Sequence, residues 1–235
     1  MIILAFESTA KVASVAVCDN ERLLAQYNID NGLTQSELLL PMAEDMLKSL
    51  KLSFSDVELL CAAVGPGSFT GVRIGTSLIK GIAFGRDIPC VEVSTLEELA
   101  ENITPLGDLL VPVMDARRNQ AYTAIFASDG ENATRITEDA AMSIDELAEM
   151  LTQYKDKKIY LSGDGYEVVR RGLTERGIKT EITPALLIAE NAYSVAKIAY
   201  RKFKNGEYVS DKDVKPTYLR MPQAERERLE RIQNK

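Results

Sequence analysis

Apolar residues along this chain fall into short blocks, and the spacing within each block predicts its element. Ile2–Glu7, Val12–Cys18 and Leu23–Ile29 read as three consecutive strands, with Asp19-Asn20 as the turn between the last two. A helix is predicted within Ser36–Lys51. Leu59-Leu60-Cys61-Ala62-Ala63-Val64 is an unbroken apolar run, the pattern of a buried strand. A glycine-rich loop follows, and then a helix over Val72–Phe84. Cys90–Val93 is a further strand. Ser94 or Thr95 caps a short helix over Leu96–Asn102, whose first turn carries Glu97 and Glu98.

The pattern then starts again. Leu109–Asp115 is an apolar strand ending in an acid, as Ile2–Glu7 is. Ala121–Ala127 reads as a second strand and Ala133–Thr137 as a third. Ser143 with Glu146 forms a capping box for a helix over Ser143–Tyr154. Strand Ile159–Leu161, the turn Ser162–Gly165, helix Tyr166–Arg176 and strand Lys179–Ile182 come next. A helix over Ala189–Asn205 ends at Gly206, and Met221–Lys235 reads as a charged helical tail. Two successive β-β-β-α units point to internal duplication. They predict a two-lobed α/β architecture of the actin, Hsp70 and sugar-kinase kind, built from duplicated β-β-β-α-β-α units. Residues 1–104 are expected as the first lobe, 105–206 as the second, and 207–235 as a tail returning to the first.

In proteins of that architecture the first turn of each lobe holds phosphate with the help of an acid and glycines. Here the turns are Glu7-Ser8-Thr9-Ala10-Lys11 and Asp115-Ala116-Arg117-Arg118-Asn119. Neither has the glycines that let backbone approach a phosphate. The glycines lie instead in Gly65-Pro66-Gly67-Ser68-Phe69-Thr70-Gly71-Val72-Arg73-Ile74-Gly75. That loop lacks the Gly-Lys-Ser/Thr ending of a P-loop. Two readings stand for it: tight packing between strand and helix, or an anion or partner contact at a helix start through Ser68, Thr70 and Arg73. The helix within Ser36–Lys51 carries two apolar stripes, Leu39, Ala43, Leu47 and Leu50, and Leu38, Met42 and Met46. One stripe suffices to pack on a sheet. The second is core or a protein–protein surface, and its methionines favour the surface. Pro41 marks a place where the helix starts or bends.

Composition narrows the chemistry. The chain has 235 residues, a hydrophobic fraction of 46% and a net charge of −7, values of a soluble globular protein with no broad basic face for nucleic acid. No stretch approaches the ~20 apolar residues of a membrane span. The start meets Glu7 at once and reads as a strand, not a signal peptide. Cys18, Cys61 and Cys90 read as buried free thiols of a reducing cytosol. Histidine is absent. That removes Ser-His-Asp and Cys-His nucleophile systems and every histidine-ligated metal site.

The start Ile3-Leu4-Ala5-Phe6-Glu7-Ser8-Thr9, the segment Ser36-Glu37-Leu38-Leu39-Leu40-Pro41, the loop Gly65–Gly75, Val111–Asp115 with Ala116-Arg117-Arg118, and Pro216-Thr217-Tyr218-Leu219-Arg220 together resemble the TsaB (YeaZ) family. That family takes part in making threonylcarbamoyladenosine in tRNA. The resemblance spans nearly the whole chain in the family's order. It implies a cytoplasmic, noncatalytic partner of the transferase TsaD, with a TsaE-like ATPase as further partner, a homodimer when alone, tRNA met only within the complex, and no membrane. It implies no cofactor of the chain's own, with ATP and a metal ion on the partner subunits. The implied pairing surface is the two first-lobe helices, with Leu38, Met42, Asp45, Met46 and Ser49 on one and Thr76 and Lys80 on the other. Glu7, Gly65, Gly67, Ser68, Thr70, Arg73 and Asp115 are expected near any anion or nucleotide. Family members commonly have Asp where Glu7 stands and His where Gln35 stands, which weakens an inherited phosphate role. The alternative reading is an ATP-dependent enzyme of the sugar-kinase or Hsp70 class using Glu7 and Asp115; a peptidase is a third.

Overall fold

β1 (Ile2–Glu7) is apolar at every position but its last, and it takes the centre of the first sheet, where both faces are covered. β2 (Ala13–Asp19) and β3 (Arg22–Ile29) continue antiparallel on one side. β4 (Leu59–Ala63) and β5 (Cys90–Val93) extend the other side parallel to β1, giving the order β3-β2-β1-β4-β5. The computed structural model describes residues 1–117 and 119–220. The expected tail helix over Met221–Lys235 lies outside the described residues.

α1 (Gln35–Ser49) and α2 (Phe69–Ala83) cover one face of this sheet. A capping box of Thr34 with Glu37 opens α1, so the helix begins before Pro41 and runs through it. Both of its apolar stripes are buried: Leu39, Ala43 and Leu47 in one, Met42 (6% exposed) and Met46 (0%) in the other. The surface expected at Met42 and Met46 is therefore core. The reason is position: α1 packs on the sheet and against α2 at once, and a helix in a corner buries a wider arc than one lying on a flat sheet.

The second sheet repeats the plan with losses. β6 (Asp108–Asp115) is central, and β11 (Ile159–Ser162) runs parallel beside it. The strand expected over Ala121–Ala127 is divided into β7 (Gln120–Thr123) and β8 (Phe126–Ser128), both antiparallel to β6. The register continues across the gap, with Val113 opposite Thr123 and Leu110 opposite Phe126. The gap falls opposite Pro112, which has no N–H for the ladder; its carbonyl takes the Thr123 hydroxyl at 2.7 Å instead. The outer strand is likewise split, into β9 (Ala133–Arg135) and an unforeseen β10 (Ala140–Ser143). Lys179–Ile182 forms no strand. Glu181 donates one backbone bond to Ile159 at 2.8 Å, Thr183 then uses its hydroxyl on Leu161, and Pro184 cannot donate. α4 (Ile144–Leu151) and α5 (Tyr166–Glu175) cover the outer face of this sheet.

The two remaining helices change lobes. α3 (Thr95–Ile103), from the first half, packs Leu96, Leu99 and Ile103 against Leu110, Met114 and Phe126 of the second sheet. α6 (Ala192–Lys204), from the second half, packs Val195, Ile198 and Ala199 on the back of the first sheet. A boundary at residue 105 thus follows the chain and not the packing. Residues 207–220 run back along the first lobe: Val209 pairs with Cys90, and Thr217 donates to the Val64 carbonyl at 2.7 Å. No helix among the described residues is long and apolar enough to cross a membrane.

Three backbones meet at the glycine-rich loop. A Cβ on Gly71 would overlap the Ser8 carbonyl oxygen, and one on Gly67 would lie 2.5 Å from the Thr9 carbonyl oxygen. Gly65, at φ 114°, has the Thr217 carbonyl in the same position. Gly81, exposed on α2, has nothing within 4 Å of the added carbon. Two opposite results are expected from urea unfolding. Gly71→Ala should lower stability by about 1–3 kcal/mol, at the upper end because backbone is the obstacle. Gly81→Ala should raise it by roughly 0.5–1 kcal/mol.

Candidate functional site: the cleft between the lobes

The first turns of the two lobes face a cleft of about 700 Å³. On the first-lobe side it is lined by Thr9, Lys11, Gly67, Ser68, Phe69 and Thr70, and on the other by Asp115, Arg117, Tyr122 and Asp164. Thr217, Tyr218 and Arg220 close one side. Lys11 and Arg117 are exposed, and Asp30, Asp115 and Asp164 balance them. The wall is thus of mixed charge. Among the described residues no three Asp, Glu, Cys or His side chains are grouped to hold a metal ion.

The glycine-rich loop contributes less to this cleft than its composition suggests. The Ser68 N–H donates to the Thr9 carbonyl at 2.7 Å, and the Ser68 hydroxyl caps α2 by accepting from Gly71 N at 3.3 Å. Ser8 Oγ donates to the Gly71 carbonyl at 2.9 Å. These bonds stitch the loop to the first turn. Arg73 points elsewhere. Its guanidinium lies 3.8 Å above the Phe69 ring and its Nε donates to the Tyr218 hydroxyl at 2.8 Å, while Phe69 and Tyr218 stack at 4.9 Å. The residue expected to attract an anion instead pins the returning chain. Of the loop residues singled out, Gly67, Ser68 and Thr70 line the cleft; Gly65 and Arg73 do not.

Glu7 and Asp115 are not a facing pair. Glu7 is fully buried and does not line the cleft. Its Oε1 accepts from Thr9 N at 2.5 Å and Thr9 Oγ1 at 2.6 Å. Asp115 is exposed at the end of β6, accepts from Arg117 N at 2.7 Å, and donates its own N–H to Asp164 at 2.9 Å. Partial desolvation at the cleft wall raises the Asp164 carboxyl above its ordinary range despite that bond, although the residue as a whole is exposed. Sequence reasoning missed Asp164, and it missed Glu98 and Glu190, which lie buried beside Glu7. One signal was available: Thr95, Glu98 and Asn102 recur at helical spacing as a polar stripe separate from Glu97 and Glu101. Glu97 and Glu98 both read as first-turn acids, yet only Glu98 is turned into the core.

The seven residues expected at the pairing surface separate in the same way. Met42, Met46 and Thr76 are buried, and the Thr76 hydroxyl bonds the Val72 carbonyl of its own helix at 2.9 Å. Lys80 is spent on the Lys212 and Val214 carbonyls, each at 3.1 Å. Leu38 is half-buried; Asp45, which accepts from the Tyr27 hydroxyl at 2.8 Å, and Ser49 are exposed. Ile74, Leu78 and Ile82 on α2 are half-buried at the spacing of one helix face, and Phe84 is 76% exposed just beyond them.

A family model described as TsaD, tRNA N6-adenosine threonylcarbamoyltransferase, matches residues 34–227. The tRNA threonylcarbamoyladenosine biosynthesis protein TsaB of Bacillus subtilis (strain 168) is 29% identical over 231 residues, covering 98% of this chain and 99% of that protein. TsaB of Escherichia coli (strain K12) is 28% identical, covering 94% of this chain and 95% of that protein. Among solved structures, YeaZ from Pseudomonas aeruginosa superposes with a TM-score of 0.77 at 24% identity, covering 93% of this chain and 99% of that one, a likeness of fold. With the model matching residues 34–227 and the TsaB relatives aligned over nearly the whole of both chains, the chain belongs to the family of that model, among its TsaB (YeaZ) members.

Proposed function

We propose that this chain takes part in forming threonylcarbamoyladenosine in tRNA as the noncatalytic partner of a TsaD-like transferase. The observation that carries this reading is the fate of Glu7 and Arg73. The residues that a phosphate-handling enzyme of this architecture would turn into the cleft are buried in the seam or stacked on aromatic rings. What is left facing the cleft is a wall of mixed charge without a histidine in the chain to move a proton at neutral pH. The names of the similar TsaB proteins support the pathway, and the kinship with the transferase model supports the partner.

On this reading the partner covers the apolar stripe of α1 and α2, through Leu38, Ile74 and Leu78 with Asp45 and Ser49 at its edge. The same stripe joins two copies when the partner is missing. A TsaE-like ATPase joins the assembly, ATP and a metal ion sit on those partners, and tRNA is met within the complex in the cytoplasm. The net charge of −7 supports a chain that does not hold tRNA unaided.

Charge placed on the stripe tests the surface. Leu38→Glu with Leu78→Glu should abolish pairing with the transferase in gel filtration, while the urea midpoint stays near that of the unaltered chain. Continued pairing would overturn the assignment. Met46→Glu is the contrasting variant: its site is 0% exposed, so it should destabilise by several kcal/mol and lose pairing through unfolding. Reconstitution of the tRNA modification with purified partners should yield product only when this chain is present. In that assay Asp115→Ala should leave the rate nearly intact, whereas loss of a catalytic acid or base would cost roughly 10²-fold or more. A loss of that size would favour an enzyme acting through Asp115.

A further inference from the structure

Three carboxylates lie buried where the lobes join. Glu7 ends β1 in the first sheet, Glu98 lies on α3 against the second sheet, and Glu190 leads into α6; they are 0%, 0% and 3% exposed. Glu98 lies on one helix that crosses between the lobes, Glu190 leads into the other, and Glu7 ends the central strand of the first sheet beside them. Hydrogen bonds account for only part of them. Glu7 Oε1 is held by the amide and hydroxyl of Thr9, and Glu98 Oε1 accepts from Asn191 N at 2.5 Å. Glu7 Oε2, Glu98 Oε2 and Glu190 Oε1 are buried without a partner. An orphaned carboxylate oxygen in a dry interior is strongly unfavourable.

Among the described residues no cation acts on them. The groups that act on Glu7 are Thr9, Ser8 and Glu98; those on Glu98 are Glu7, Glu190 and Asn191; those on Glu190 are Glu7 and Asp164. The nearby cations serve other acids. On α6, Lys197 and Arg201 pair with Glu101 at 2.7 and 2.5 Å, and Lys202 pairs with Glu97 at 2.8 Å. Lys11, in the first turn, acts on Asp164. Glu7 and Glu98, however, lie within hydrogen-bond reach of each other. A carboxylic acid is a donor where a carboxylate is only an acceptor. One proton between this pair therefore replaces two opposed acceptors by a donor and an acceptor.

We propose that the seam is a proton-binding joint: with the lobes together, Glu7 and Glu98 share one proton and Glu190 holds another, and losing them sets like charges on the elements that join the lobes. Burial pushes Glu98 well above the carboxylate range, with Glu7 and Glu190 adding to it, and pushes Glu190 up to about 8 from an ordinary 4.5. The folded chain thus holds protons that the unfolded chain has already released above about pH 4.5. Stability contributed by the joint is present at low pH and is lost as pH rises toward about 8.

Urea unfolding of the full chain between about pH 6 and 9 reads this directly, because each retained proton lowers the folding constant by up to about tenfold per pH unit. The unaltered chain should lose stability across that range. Glu98→Gln and Glu190→Gln, which replace an acid by a neutral group of the same shape, should each flatten the slope by up to about one proton. Unchanged slopes in folded variants would overturn the proposal. Carboxyl carbon NMR of the unaltered, glutamate-labelled chain decides the matter even if the variants fail to fold. Side-chain carboxyl signals that remain protonated at about pH 7 support the joint; every glutamate ionised by about pH 6 would overturn it. Magnesium or calcium restoring stability at about pH 8 as fully as Glu98→Gln does would assign the site to a cation and overturn it as well.

Discussion

The structure depends on the exchange of α3 and α6 between the lobes. Each helix leaves its own half of the chain and covers the other half's sheet, so neither sheet is closed without residues from both halves. The two helices lie against each other and are fastened by charge. Glu101 of α3 is mostly buried, which by itself raises its carboxyl, yet Arg201 and Lys197 of α6 bring it below the ordinary range. Removing one side of such a pair leaves a charge stranded in the interior, at a cost of roughly 3–5 kcal/mol. Among the described residues the seam is therefore paired on its outer side and, at Glu7, Glu98 and Glu190, without a cation on its inner side.

The glycine-rich loop takes its meaning from that seam. In isolation a strand, a loop of glycines and a helix start describe an anion cradle. In the fold the same glycines let the first turn, the loop and the returning chain near Thr217 approach closely. The Ser68 hydroxyl is then used on Gly71, the Ser68 N–H on the Thr9 carbonyl, and the Arg73 cation on the Phe69–Tyr218 stack. A motif that looks like ligand chemistry is in large part the joinery of the first lobe. Among the described residues of the loop, Pro66, Gly67, Ser68, Phe69 and Thr70 remain toward the cleft.

The first-lobe helices show the same division between local pattern and final role. Met42 and Met46 repeat at helical spacing beside a complete stripe, which fits an interface. The corner between sheet and α2 buries them, and the half-buried positions pass to Leu38 on α1 and to Ile74, Leu78 and Ile82 on α2. The half-buried apolar positions thus lie on the two helices expected to form a surface.

Periodicity by itself determined the order of nearly all the elements, most of their ends to within three residues, and the restart of the pattern at Leu109. Those are local properties, set by side-chain spacing, by caps such as Ser143 with Glu146, and by turn residues. The missing histidines excluded whole reaction classes for the same reason: chemistry cannot use a group that is not there. Tertiary structure alone decided the rest. Pro112 divides the strand opposite it, which only the register reveals. Glu97 and Glu98 are neighbours of one kind in the chain, yet one meets Lys202 at the half-exposed edge and the other meets Glu7 and Glu190 in the core. Burial and pairing are relations between distant segments, and no spacing within a single segment records which partner will face it.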